Sequence, residues 1–222
     1  MIVELGQAPA ERIGGKAAGL ARLVELGLPV PPAVVLPPGE ELDDPAAVVA
    51  RLGEPLAVRS SAVGEDGVER SAAGQYETVL GVGGDELAAA VARVRGGTDR
   101  AAAYGLSGPV AVVIQREVPA TRAGVAFSRD PVTGDDVVFV ECALGAGEAV
   151  VSGEVTPDRY WVADTVRARA AGLLRVLRDD EARAVAALVR AAERGFGRPV
   201  DVEFCFEGRT LWLVQCRPIT TL

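Results

Sequence analysis

The 222-residue chain contains no histidine. That absence excludes a histidine general base, a histidine metal ligand and a phosphohistidine carried by this chain itself. Lysine is nearly as scarce: among 23 basic residues, only Lys16 is not arginine. Cysteine is limited to Cys142, Cys205 and Cys216, an odd number in apolar, strand-like runs without close ligand spacing. Buried free thiols are therefore expected, rather than a disulfide framework or a cysteine-bound metal. An excess of positive charge is also missing, since the formal charge is -8. This argues against sequence-independent nucleic-acid binding and requires any basic site to be local. No apolar run approaches membrane-spanning length, and the first residues lack the charged and apolar regions of a secretory leader. A cytoplasmic protein is the expectation.

What the chain does contain is apolar residues, at 49%, sufficient for one substantial core or two small ones sharing a cleft. From Ile13 to Gly27 the apolar spacing is helical and ends at a glycine cap. Gly14, Gly15 and Lys16 then fall at the N-terminal end, where backbone N–H groups, the dipole and a compact ammonium all favour phosphate. A lysine surviving by chance on a solvated helix end has the same pattern, and the full phosphate-loop motif is absent. An extended segment from Leu28 to Leu36, a short helix from Pro45 to Leu52 and a strand from Leu56 to Ser61 follow. A polar loop from Val63 to Gly74, long enough to be a lid, leads to a strand from Tyr76 to Val82. Asp85 to Tyr104 has helical spacing with a break expected at Gly96-Gly97. Strands at Val110 to Val118, Ala123 to Ser128 and Val137 to Cys142 suggest an antiparallel sheet. Then come a glycine-rich turn at Gly145-Ala-Gly147-Glu148, a strand at Arg159 to Val162, and an alanine-rich helix from Asp179 to Phe196. A terminal hairpin closes the chain, with strands Val200 to Phe206 and Thr210 to Arg217.

Chemistry concentrates in that hairpin. Alternation puts Asp201, Glu203 and Cys205 on one face, with Val200, Val202, Phe204 and Phe206 on the other. A turn centred on Glu207-Gly208-Arg209 brings Gln215 and Arg217 near the level of Glu203 and Asp201, with Leu211 and Leu213 sharing their face. Carboxylate and amide oxygens suit Mg²⁺ held together with substrate phosphates, and a guanidinium can clamp a phosphoryl group. A solvent-facing hairpin side laced with ion pairs fits the same residues. Arg59-Ser60-Ser61 offers a further guanidinium and two hydroxyls at a strand end, and a hydroxyl-capped surface turn would look alike.

The order of these pieces is informative. Gly14-Gly-Lys16, Ala57-Val-Arg-Ser-Ser-Ala62, Ala72-Ala-Gly-Gln-Tyr-Glu-Thr78, Gln115, Gly124-Val-Ala-Phe-Ser128, Gly145-Ala-Gly-Glu148, Pro157-Asp158, Val200-Asp-Val-Glu203 and Val214-Gln-Cys-Arg-Pro218 follow one another along nearly the whole chain. In this the chain resembles the ATP-binding domain of the phosphoenolpyruvate synthase and pyruvate phosphate dikinase family, which includes rifampicin phosphotransferase. The resemblance implies an α+β, ATP-grasp-like fold of two lobes holding ATP in a cleft, here residues 1–105 and 106–222. It implies that Lys16 and Arg59 bind phosphate and that Gly74 and Gln75 belong to a mobile glycine-rich loop. Gln115, Arg116, Glu117 and Val118 would form the adenine hinge. Asp201, Glu203, Gln215 and Arg217 would be nucleotide, metal and phosphate ligands, with Mg²⁺ on Glu203 and Gln215. Glu141 and Glu148 would be ribose or polar contacts, and Lys16, Arg59 and Arg217 the catalytic cations.

In the family the phosphoryl acceptor is a histidine on a separate swivelling domain. This chain has no such histidine and no such domain, and it is short between Leu36 and Leu56 and between Val162 and Asp179. The expectation is therefore a subunit that binds Mg·ATP and phosphorylates a histidine carrier, or serves a substrate-domain protein, encoded separately. A free-standing small-molecule kinase or ATP-dependent activating enzyme, and a nucleotide-binding module without catalysis, are the alternatives.

Overall fold

The computed structural model describes residues 2–7, 10–62, 78–103, 109–145 and 155–219. It divides into two compact units, one of Met1–Val24 and Pro31–Glu117, the other of Glu25–Val30 and Val118–Leu222.

The first unit is built on a five-stranded sheet of order β1-β2-β5-β3-β4. Its strands are β1 (Val3–Glu4), β2 (Ala33–Leu36), β3 (Leu56–Ala62), β4 (Thr78–Val82) and β5 (Val110–Arg116). Three helices accompany them: α1 (Ala10–Glu25), α2 (Pro45–Leu52) and α3 (Leu87–Ala103). The boundaries of α2 follow from local chemistry. The Asp44 carboxylate accepts from the Ala47 N–H at 2.9 Å, Pro45 occupies the first turn, and Gly53 ends the helix at φ 79°, the arrangement that caps and terminators favour. Leu56 and Val58 of β3, Val112 and Ile114 of β5, and Val34 and Leu36 of β2 form one sheet face. Val48 and Leu52 of α2 and Leu87, Val91 and Val94 of α3 pack against it. The expected break at Gly96-Gly97 does not occur: α3 continues through both glycines to Ala103.

β5 corrects the expected organisation. It pairs with both β2 and β3, so it is the central strand of the first sheet and not part of the second. The division expected at 105/106 accordingly falls at Glu117/Val118, and the segment 25–30 joins the second unit. The run Val110-Ala-Val-Val-Ile114 is apolar without alternation, as a strand buried on both faces requires.

The second unit holds a six-stranded antiparallel sheet of order β11-β10-β6-β7-β8-β9. Its members are β6 (Arg122–Phe127), β7 (Val138–Leu144), β8 (Asp158–Val162), β9 (Val166–Arg169), β10 (Val200–Glu207) and β11 (Thr210–Pro218). A single described helix in this unit, α4 (Asp179–Phe196), lays Ala182, Val185, Ala186, Val189 and Ala192 on one sheet face. The N-terminus of α4 is held by Glu181, which accepts from the Arg178 N–H at 3.0 Å and pairs with Arg122 at 2.8 Å. Arg122 also lies 4.3 Å from the centre of the Phe206 ring. Gly124 is required at a close approach: a Cβ there would come within 1.9 Å of the Glu141 carbonyl oxygen. All three cysteines are buried and free, and burial pushes the Cys142 thiol up to about 12, which makes it chemically quiet. No described helix is long and apolar enough to cross a membrane.

Candidate functional site

In the first unit the conspicuous feature is a break in α1. Gly14 adopts φ 75°, ψ 170°, interrupting the helix so that a fresh turn starts beyond it, at Gly15 and Lys16. A side chain at Gly14 would stand 2.4 Å from the Ser61 carbonyl oxygen and 2.7 Å from its hydroxyl. The contact needs glycine both for its left-handed backbone and for its lack of Cβ. Ser61, fully buried at the end of β3, accepts from the Ala17 N–H at 3.0 Å through its hydroxyl. A serine from a distant strand thus caps the new helix start, a role usually filled by the residue before the helix. Arg59 lies two residues before Ser61 on β3 and so on the same sheet face. Lys16, a fresh helix start and Arg59 are brought to one face of one sheet, and both Lys16 and Arg59 are half-buried.

The hinge residues are largely occupied by the sheet itself. Gln115 is buried, and its side-chain amide donates to the Pro31 carbonyl at 3.4 Å. The Arg116 and Glu117 N–H groups donate to the Pro32 and Pro55 carbonyls, each at 2.9 Å. The Glu117 carboxylate accepts from the Gly81 N–H. Gly74, Gln75 and Glu148 lie outside the described residues.

In the second unit the ladder register gathers the hairpin residues as the alternation requires. Asp201 is paired with Arg217 and Glu203 with Gln215, all on the face opposite α4. Arg217 donates to one oxygen of Asp201 through Nε at 2.9 Å and through its terminal nitrogen at 2.8 Å. Asp201 and Gln215 are buried, whereas the Arg217 side chain is half exposed. One feature differs from the expected hairpin. The register shifts so that Leu213 is opposite Phe204 while Gln215 remains opposite Glu203, leaving Val214 as a β-bulge. Leu213 therefore turns into the apolar face beneath α4 and is fully buried, and Leu211 turns with it. The bulge separates the leucines from the polar pair, as an extra residue in one strand must.

Cross-strand pairing extends this face into two rows. One runs Gln215, Glu203, Val125, Glu141, Arg159; the other runs Arg217, Asp201, Phe127, Phe139, Trp161. The aromatic stretch is packed, with ring centres 6.2 Å apart for Phe127 and Phe139 and 5.3 Å for Phe139 and Trp161. Glu141 is bound by Arg159 at 2.8 Å. Asp130, missed by the sequence reading, accepts from the Val132 N–H and the Trp161 indole, each at 2.8 Å, and from the Thr133 N–H at 3.2 Å. Burial opposes its ionisation, but these donors outweigh that and hold its carboxyl below the usual value. The signal that could have found it is Asp-Pro with a following Thr-Gly, a turn sequence in which the aspartate accepts from its own loop.

No group of three or more His, Cys, Asp or Glu suited to a metal occurs among the described residues. A carboxylate and an amide oxygen at paired positions are nevertheless a fitting partial set for Mg²⁺, which keeps waters and takes substrate phosphates as its remaining ligands.

Comparison with known proteins bears directly on this arrangement. The family described as pyruvate phosphate dikinase, AMP/ATP-binding domain, matches residues 40–173 and 163–222. The chain belongs to this family. Relatives include a rifampicin phosphotransferase of Streptomyces, 38% identical across 81% of the chain and 26% of its own length. A probable phosphoenolpyruvate synthase of Methanothermobacter thermautotrophicus is 30% identical across 99% of the chain and 45% of its own length. The prodigiosin synthesizing transferase of Serratia marcescens is 34% identical across 95% of the chain and 32% of its own length. The chain thus spans less than half of these relatives. Among solved structures, an L-amino acid ligase of Bacillus licheniformis covers 93% of the chain and 42% of its own at TM-score 0.54 and 15% identity. An N5-carboxyaminoimidazole ribonucleotide synthetase, solved as its ADP complex, covers 93% of the chain and 45% of its own at TM-score 0.54 and 12% identity. These likenesses fix the fold as α+β and ATP-grasp-like, and the family makes the chain an ATP-binding domain.

Proposed function

We propose that this ATP-binding domain works as a phosphotransferase unit, passing a phosphoryl or pyrophosphoryl group from Mg·ATP to a histidine on a separate carrier protein. The observation that carries the reading is the ladder setting Glu203 opposite Gln215 and Asp201 opposite Arg217 on one sheet face. Glu203 and Gln215 would hold Mg²⁺, which when bound neutralises the polyphosphate. Lys16 and Arg59 take phosphate oxygens, the former at a helix start whose first N–H groups lack intrahelical partners. Asp201 holds the Arg217 guanidinium in place for the transferring group. Val118 and the backbone around it would read the adenine edge, Glu141 and Glu148 would make ribose or polar contacts, and Gly74 and Gln75 would belong to the glycine-rich loop for the phosphates. Phosphoryl transfer asks for positioning and charge stabilisation more than covalent help, which fits a site of cations and carboxylates without a nucleophile. Because the chain has no histidine, the acceptor must come from elsewhere. Incubation with ATP, Mg²⁺ and a histidine-bearing carrier from a neighbouring gene tests this. The expected result is a modified carrier, with ADP released if a phosphoryl group is passed and AMP if a pyrophosphoryl group is passed, and both products abolished in Lys16→Ala; an unmodified carrier with every candidate would refute it.

A further inference from the structure

The second sheet ends at β9, and the ladder determines which of its backbone groups face outward. The Ser128 N–H donates to the Val200 carbonyl and the Gly145 N–H to the Thr121 carbonyl, each at 2.9 Å. These bonds establish which residues of β6 turn toward β10 and which toward β7. Carried across β7 and β8, the alternation makes Arg159–Arg169 and Trp161–Arg167 the hydrogen-bonded pairs of the last hairpin,. The N–H and C=O groups of Val166 and Ala168 therefore point out of the sheet. Among the described residues, no backbone hydrogen bond reaches them. Such an edge is a template for another strand.

Its side chains are selective. Arg167 and Arg169 share the face opposite α4, while Val166 and Ala168 lie on the α4 side. Arg169 stands directly across from Arg159, and like charges so placed repel. Arg159 is relieved by Glu141 at 2.8 Å, and Arg167 lies 4.5 Å from the centre of the Trp161 indole. Arg169 forms no ion pair with a described residue. In a chain of net charge -8, this edge is a local reversal of sign.

Just past the strand, a loop is pinned from inside. The buried Asp158 carboxylate accepts from the Ala171 and Val176 N–H groups, each at 2.7 Å, and the Tyr160 hydroxyl accepts from the Leu177 N–H at 2.8 Å. The tip held in this way presents Leu173 at 103% and Leu174 at 86% exposure. A buried carboxylate is committed to fixing two bare leucines beside an open, positively charged edge.

We propose that β9 is a docking edge for an extended segment of another polypeptide in which acidic and apolar side chains alternate. Added to the sheet as a further strand, such a segment sets its carboxylates beside Arg167 and Arg169. Its apolar side chains lie toward Val166 and Ala168 and continue onto Leu173 and Leu174. Main-chain bonds supply affinity and the alternating side chains supply selectivity.

The test uses the whole chain and a fluorescent eight-residue peptide of alternating glutamate and valine, read by anisotropy. Controls are a lysine–valine alternation and a peptide of the same glutamates and valines in two blocks. Saturable binding of the alternating acidic peptide is expected, with both controls weaker by about tenfold or more, given the sign and period of the edge. Ala168→Pro removes an outward N–H while sparing the ladder to β8 and should abolish binding. The pair Arg167→Glu and Arg169→Glu should switch preference to the lysine–valine peptide, which keeps the test decisive if the proline variant does not fold. Equal binding of the block peptide, unchanged binding by Ala168→Pro, or no binding at all would overturn the proposal. So would self-association of an Arg167→Ala, Arg169→Ala variant with peptide binding intact, since the arginines would then serve only to keep the edge from aggregating.

Discussion

Replacing Gly14 by alanine tests how the first unit holds its lysine. The backbone there has φ 75° and ψ 170°, a region occupied almost only by glycine, which costs an L-residue about 1–3 kcal/mol. The added Cβ would lie 2.4 Å from the Ser61 carbonyl oxygen and 2.5 Å from its carbonyl carbon. These are backbone atoms of a buried strand end, so α1 must lift from β3, at an overpacking cost of about 1–3 kcal/mol. A total of roughly 2–6 kcal/mol should lower Tm by about 4–24 °C in a chain of this size. The control is Gly27→Ala, where φ is 69° but nothing lies within 4 Å of the added Cβ. It carries the backbone strain alone, about 1–2 kcal/mol. Thermal unfolding of the two variants, followed by circular dichroism, separates the combined backbone strain and Ser61 contact at Gly14 from the cost of a positive φ alone. ATP titration of folded Gly14→Ala should show weakened affinity, because the Ala17 N–H loses its bond to the Ser61 hydroxyl as the helix start moves. A Gly14→Ala variant no less stable than Gly27→Ala would refute the reasoning.

Two further perturbations concern the second unit. Asp158→Ala leaves the Ala171 N–H, the Val176 N–H and the Tyr160 hydroxyl without their shared acceptor. A loss of about 3–5 kcal/mol is expected, with faster amide exchange at 171 and 176 than elsewhere in the sheet; unchanged exchange there would contradict the pinning. The Asp130 carboxyl is held below its ordinary value of 3.8, so its folded pKa is depressed. The stability it contributes is present above pH 3.8 and is lost as pH falls from there through the folded value. Acid titration followed by Trp161 fluorescence should show this loss in wild type and not in Asp130→Asn.

Local chemistry in the sequence reached the structure where a single segment decides the outcome. Asp44, Pro45 and Gly53 delimit α2, and the alternation from Val200 to Phe206 gives the faces of β10. That Asp201 and Glu203 share one face, and Gln215 and Arg217 another stretch of it, was legible from alternation within each strand, whereas their direct pairing depends on the bulge, without which Glu203 would face Val214,. The bulge itself was not legible: no glycine or proline marks Val214, and it exists because Leu213 gains burial opposite Phe204. Strand order was equally hidden, since β5 reaches its neighbours β2 and β3 through contacts remote in sequence. Its unbroken apolar run nevertheless carried the signature of a strand covered on both faces. β9 escaped notice because Val166-Arg-Ala-Arg169 is short and half charged. The roles of Ser61 and Asp158 were hidden because their partners, Ala17 and the 171–176 loop, are distant or irregular in the chain.

Calorimetric titration of ATP into wild type and Glu203→Gln, each with and without Mg²⁺, tests the central claim most directly. Wild type should bind ATP at least about tenfold more tightly with Mg²⁺. Glu203→Gln should keep its unfolding temperature but lose that dependence on the metal. Equal Mg²⁺ dependence in the variant, or no ATP binding by wild type, would contradict the account.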